Sequence, residues 1–104
     1  MGGDDLARLM VLESKVYFGQ GDPKALKGIM PHVIHVHAKF FGIDPKTGNE
    51  PSVPYPEILA ALKAGGFDGC MSSEYEGHHW MVGGDAFWQV KSHHALMRRL
   101  WEKA

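Results

Sequence analysis

Two stretches of the chain, His35-Val36-His37-Ala38-Lys39 and Ser73-Glu74-Tyr75-Glu76-Gly77, alternate their side chains as strands with two unlike faces do. Over 33–40 the odd positions Val33, His35, His37 and Lys39 turn polar toward the C-terminal end, while Ile34, Val36, Ala38 and Phe40 stay apolar. Over about Cys70 to Tyr75, the residues Cys70, Ser72 and Glu74 share one face and Met71, Ser73 and Tyr75 the other. Polar, metal-competent groups at the ends of parallel strands are what a barrel enzyme presents at its catalytic rim. A closed barrel takes about 250 residues, however, and this chain has 104.

The rest of the pattern places these strands among helices. Asp4 or Asp5 caps a first helix running to about Ser14, with Leu6, Leu9, Met10 and Leu12 on its apolar side. A loop over 15–21 follows, with Tyr17 and Phe18 turned inward. Asp22-Pro23 opens a short second helix, an acceptor at the N-cap and proline at the first helical position, which stops before Pro31. A long loop rich in Gly, Pro, Asp and Asn runs from Phe41 to Pro54. Pro56 and Glu57 then begin a helix that buries Ile58, Leu59 and Leu62 and ends at Gly65-Gly66. After a loop over 76–84 that holds His78, His79 and Trp80, Asp85 caps the last helix. There Phe87, Val90, His94, Met97 and Trp101 fall on one side, with Arg98, Arg99 and Lys103 near the negative end of the helix dipole.

The order helix, strand, helix, strand, helix, with crossovers of about thirty residues, predicts parallel pairing in an α/β fold of one domain over 1–104. Two strands cannot bury both faces of a sheet, so further strands from another chain or an unusual small fold are implied. Eleven basic and twelve acidic residues nearly cancel, which gives no reason to expect a nucleic-acid partner. No apolar run is long enough to span a membrane. The start Met1-Gly2-Gly3-Asp4-Asp5 lacks the features of a secretory signal, and the single cysteine, Cys70, excludes an internal disulfide. A cytoplasmic location is therefore the expectation, with Cys70 a buried, inert thiol.

The run Asp22-Pro23-Lys24-Ala25-Leu26, continued by Pro31-His32-Val33-Ile34-His35-Val36-His37-Ala38-Lys39, resembles the seventh-strand region of the xylose isomerase-like (AP endonuclease family 2) TIM barrels. Pro54-Tyr55-Pro56-Glu57-Ile58-Leu59, Gly65-Gly66-Phe67-Asp68-Gly69 and Ser73-Glu74-Tyr75-Glu76-Gly77 are similar to the helix, turn and eighth strand of that family. Residues 22–104 carry the resemblance, and 1–21, a helical lead-in, carry it only weakly. It implies a partial TIM barrel, the C-terminal portion of a divalent-metal-dependent sugar isomerase or epimerase. His37 matches the strand-seven metal ligand, and Glu74 the strand-eight ligand and proton-transfer base. The metal would be Mn, Mg or Zn, weakly held by this chain alone, because the other carboxylate ligands belong to strands absent from it. Where the family reads His-Ala-Lys-Asp, this chain has His37-Ala38-Lys39-Phe40.

Each of these residues also has a plainer reading. His37 can be a strand histidine satisfied by its neighbours, but it shares a face with His35 and Lys39, a set costly to bury without a polar purpose. Glu74 can simply pair with Lys39 in a solvated ion pair of little weight, or serve as a carboxylate ligand and base. His35 reads as a residue that orients a neighbour or a substrate hydroxyl. Lys39 can bind a substrate oxygen or phosphate, or close a salt bridge at the rim. Glu76, on the rim after strand eight, is a candidate for substrate contact. His78 and His79 read as solvated loop residues, His93 as helix surface and His94 as the edge of the core.

The expected partners are a sugar or sugar phosphate, and either a second copy in a homo-oligomer such as a swapped dimer or a chain that supplies the missing strands. The isolated monomer is expected to be inactive. Two further expectations stand beside the enzymatic one: a non-catalytic sugar-binding or regulatory half-barrel, and a truncated product without independent activity.

Overall fold

The computed structural model describes residues 21–77 and 84–104. The first helix expected near Asp4, the loop with Tyr17 and Phe18, and His78, His79 and Trp80 lie outside the described residues. The order of elements is a 3₁₀ helix over Pro23–Gly28, a 3₁₀ turn over Met30–His32, strand β1 (His35–Phe40), helix α1 (Tyr55–Ala64), strand β2 (Cys70–Tyr75) and helix α2 (Ala86–Lys103).

The two strands pair in parallel, with His35 beside Cys70, His37 beside Ser72, Lys39 beside Glu74 and Phe40 beside Tyr75. Parallel neighbours need a crossover long enough to return to the same end, and α1 provides it. Proline inside its first turn and Glu57 at the positive end of its dipole start α1, and Gly66 at φ +77° turns the chain out of it. The carboxylate of Asp85 accepts from the Trp88 amide at 3.1 Å and so caps α2. The result is an α/β unit with a small two-stranded parallel sheet and helices against one of its faces.

That face carries the core. Ala38 and Phe40 of β1 join Tyr55, Leu59 and Leu62 of α1, Leu96 and Met97 of α2, and Met30, Ile43 and Phe67 from the connections. The opposite face leaves His35, His37 and Lys39 exposed, as the alternation predicts. None of the described helices is long and apolar enough to cross a membrane.

Several local expectations need correction. The segment after Asp22 is 3₁₀ rather than α; its cap holds, with Asp22 Oδ1 accepting from the Lys24 amide at 3.0 Å, and it stops before Pro31, which lies inside the next 3₁₀ turn. Strand β1 begins at His35, and Ile34, assigned to the apolar face, is 84% exposed. Cys70 is exposed rather than buried, because it stands on the polar face beside His35. The buried side of α2 is Gln89, His93, Leu96 and Met97; Phe87 is 80% exposed and His94 also faces out. An apolar count rotates this helix wrongly because two of its inward residues are polar and reach specific partners on the strand side.

Candidate functional site

The exposed face of the sheet is a ladder of polar pairs. At its lower end His35 Nε2 and Ser72 Oγ lie 3.0 Å apart across the strands, and the His35 and His37 rings meet edge to face with centroids 5.2 Å apart. Higher up, His37 Nδ1 comes within 3.5 Å of Glu74 Oε2. At the C-terminal ends Lys39 Nζ sits 3.7 Å from Glu74 Oε1 and 3.1 Å from Glu76 Oε1. Glu76 is held there because the pairing continues past β2, its amide donating to the Phe40 carbonyl at 2.9 Å. The hydrogen bond to Glu76 is the main reason the Lys39 ammonium titrates above its usual range, and Glu74 adds to the effect.

The structure thus brings His37, Lys39, Glu74 and Glu76 into one cluster at the ends of both strands. His35 stands one step below it and orients Ser72 of the neighbouring strand. An imidazole nitrogen and a carboxylate oxygen 3.5 Å apart fit as two ligands of one divalent ion, since bonds of about 2.1 Å at a tetrahedral angle separate donors by about 3.4 Å. Among the described residues no group of three or more His, Cys, Asp and Glu side chains is placed to hold an ion.

The loop that follows β1 is a fixed wall of this rim. The buried carboxylate of Glu50 accepts from the Phe41 amide at 2.8 Å and from the Ser52 amide. Gln89 Oε1, also buried, accepts from the Ile43 amide at 2.8 Å, and Arg99 donates to Asn49 Oδ1 at 2.8 Å and to the Gly48 carbonyl at 3.3 Å. Gly77 closes the other side: a Cβ there would stand 1.9 Å from the Phe41 carbonyl oxygen.

Behind the sheet a few polar groups are buried within the apolar core. The Tyr55 hydroxyl donates to the Lys39 carbonyl at 2.6 Å, and burial, with Glu50 nearby, pushes its pKa up. His93, expected at the helix surface, is fully buried. Its ring stacks on Phe40 with centroids 4.0 Å apart, and its Nδ1 lies 2.7 Å from Ser73 Oγ. Sequence periodicity missed Tyr55, Glu50, Gln89 and His93 as supports of the rim. The available signal was Ser73, a hydroxyl on an otherwise apolar strand face.

Burial, helped by the neighbouring His94, lowers the His93 pKa from 6.5 to about 4. Between those values the unfolded chain binds a proton that the folded chain refuses. Stability is therefore full above pH 6.5 and falls as the pH drops toward 4, by about 3 kcal/mol for this one group. Urea denaturation of the wild-type chain and a His93→Phe variant at pH 7, 5.5 and 4 isolates the effect from the carboxylates, which titrate in both. The wild type should lose ground to the variant as the pH falls, and a constant difference would contradict the assignment.

No family model matches the chain. It is 44% identical over 100 residues, 96% of its length, to the 3'-dehydrocarminate deglycosidase alpha subunit of a Microbacterium species, of which it covers 28%. A C-glycoside deglycosidase alpha subunit of Arthrobacter globiformis is 40% identical over 97 residues, 93% of this chain and 26% of that protein. A third, from Microbacterium trichothecenolyticum, is 40% identical over 87 residues, 84% of this chain and 23% of that protein. The chain spans about a quarter of the length of these curated relatives. Their names overturn the expectation of a metal-dependent sugar isomerase or epimerase: at this identity the relatives are deglycosidase subunits. Over 84–96% of its length, the chain is similar to alpha subunits of deglycosidases, two of them named as C-glycoside deglycosidases.

Proposed function

We propose that this chain supplies one wall of a site that cleaves C-glycosides, within a partial TIM barrel of xylose isomerase-like type completed by other strands and served by a companion subunit. The observation that carries the reading is the cluster of His37, Lys39, Glu74 and Glu76 at the C-terminal ends of two parallel strands, where barrel enzymes gather their reactive groups. The relatives' names supply the substrate class and the expectation of a second kind of subunit.

A C-glycoside joins the sugar to its aglycone by a C–C bond, which acid alone does not readily open. If the sugar carries a ketone two carbons from that bond, the intervening C–H becomes acidic. A base that removes this proton leaves an enolate, whose electrons expel the aglycone carbon. That carbon leaves with the bonding pair and takes up a proton, giving the free aglycone and an unsaturated keto sugar. Glu74 is suited to accept the proton, being a half-exposed carboxylate at the rim. The Lys39 ammonium, held between two carboxylates, would bind a sugar oxygen on which charge develops. His35 would orient a sugar hydroxyl through the lower ladder, and Glu76 keeps Lys39 directed inward.

His37 and Glu74 would hold a divalent ion such as Mn²⁺, Mg²⁺ or Zn²⁺, with the remaining ligands from elsewhere. When bound, such an ion supplies Lewis-acid polarisation of a carbonyl.

The test combines this chain with the complementary part of the Arthrobacter globiformis alpha subunit and its companion subunit. The substrate is a C-glycoside bearing a ketone at sugar carbon 3, and free aglycone is measured by chromatography. Release should require this chain and should vanish with His37→Ala. A stable assembly that releases no aglycone would refute the proposal.

A further inference from the structure

His93 is an expensive occupant of its place. The ring is fully buried, parallel to Phe40 within 12° and edge-on to Tyr55 with centroids 4.9 Å apart. Its Nδ1 is paired with Ser73 Oγ, but its buried Nε2 meets no hydrogen-bond partner among the described residues. Phenylalanine would fill this place without leaving a nitrogen unpaired, so packing alone does not call for an imidazole. Ser73 is the complementary oddity, a hydroxyl on a strand face otherwise made of Val36, Ala38, Phe40, Met71 and Tyr75. Together they form a matched polar couple inside an apolar layer.

The couple lies directly behind the ion cluster. Ser73 immediately precedes Glu74, and Phe40 immediately follows Lys39. The third ring of the group, Tyr55, holds the Lys39 carbonyl. One aromatic group therefore grips both strands at residues adjoining the two charged side chains. In a strand the side-chain period is two, so a slip or twist that displaced Lys39 or Glu74 on the front must also displace Phe40 or Ser73 at the back.

We infer that His93 is a positioning residue for the rim: its bond to Ser73 and its stack on Phe40 hold the ends of β1 and β2 so that Lys39 Nζ stays between Glu74 and Glu76. It acts through those two residues and touches no substrate. The inference rests on the proposed reading of the rim as the reactive face, and deepens it.

The test uses isotopically labelled chain over residues 1–104 and reads the carboxyl carbons of Glu74 and Glu76 and the ammonium nitrogen of Lys39 by NMR. The double variant Ser73→Ala/His93→Phe removes both polar partners at once and should fold with a denaturation midpoint equal to or above that of the wild type. Its three site resonances should nevertheless shift to the positions of unpaired side chains. A double variant that folds and keeps wild-type site resonances would overturn the inference. If the double variant does not fold, Ser73→Ala alone decides by the same readout. In the assembled enzyme the double variant should lose about tenfold in kcat with KM within about twofold. Wild-type assembly without C-glycoside cleavage would sink the proposed function, yet the resonances would still decide the positioning role.

Discussion

Glu74→Gln in the assembled enzyme is expected to lower kcat about a thousandfold, within the range that a positioned general base contributes, while the protein stays folded. Glutamine keeps the shape of the side chain and removes its charge and basicity. The fold should tolerate the change because the Glu74 side chain is 41% exposed and lies in the solvated ladder, not the core. Lys39 also keeps its shorter contact with Glu76, at 3.1 Å, and exposed ion pairs of this kind contribute little to stability. A thousandfold loss corresponds to about 4 kcal/mol of transition-state stabilisation, far more than the ion pair itself can account for. Aglycone release and a thermal melt on the same sample separate the two effects. A variant that keeps its midpoint and loses less than tenfold in kcat would remove Glu74 from the role of proton acceptor and leave it as a partner of Lys39.

The residues at issue show why the front of this site could be read from the sequence and its back could not. Strand alternation is a rigid geometric rule, so His35, His37 and Lys39 had to share a face, and the bounds of β2 follow from the turn at Phe67-Asp68-Gly69. Convergence of His37 and Glu74 then needed only parallel pairing in the observed register. The supports behind the sheet obey no such rule. Glu50 and Gln89 are buried because the amides of Phe41, Ser52 and Ile43 need acceptors, a demand set by the path of a loop. His93 turns inward for Ser73 and Phe40 and rotates the apparent apolar stripe of α2 with it. Hydrophobic periodicity scores both polar residues as outward. Cys70 failed in the opposite sense: its tendency to be buried yielded to its position on the polar face beside His35. The chemistry itself is further from the pattern. A histidine, a lysine and two glutamates at a strand end suit isomerisation and C–C cleavage alike, and the proposal of C–C cleavage rests on similarity to the deglycosidase subunits.

Phe40→Ala should cost about 3–5 kcal/mol of folding stability, the range for deleting a buried phenylalanine ring. Phe40 is fully buried, stacked on His93 at 4.0 Å and tilted against Tyr75 at 5.3 Å. Its loss takes away the transfer free energy of the ring and leaves a hole between the sheet and both helices, lined by groups that cannot all collapse into it. The hole also admits water to His93 and Tyr55, so the variant should show a weaker dependence of stability on acid than the wild type. Ile34→Ser supplies the control. It removes another large apolar side chain near the same strand, but one that is 84% exposed, and should change stability by no more than about 0.5 kcal/mol. Urea denaturation of both variants reads the contrast directly. Since a domain of this size is stable by about 5–15 kcal/mol, the first variant should forfeit a large part of the total and the second almost none. Equal costs would mean that the even-numbered face of β1 is not the one packed against the helices. The odd-numbered residues would then be denied the exposed face on which their proposed chemistry depends.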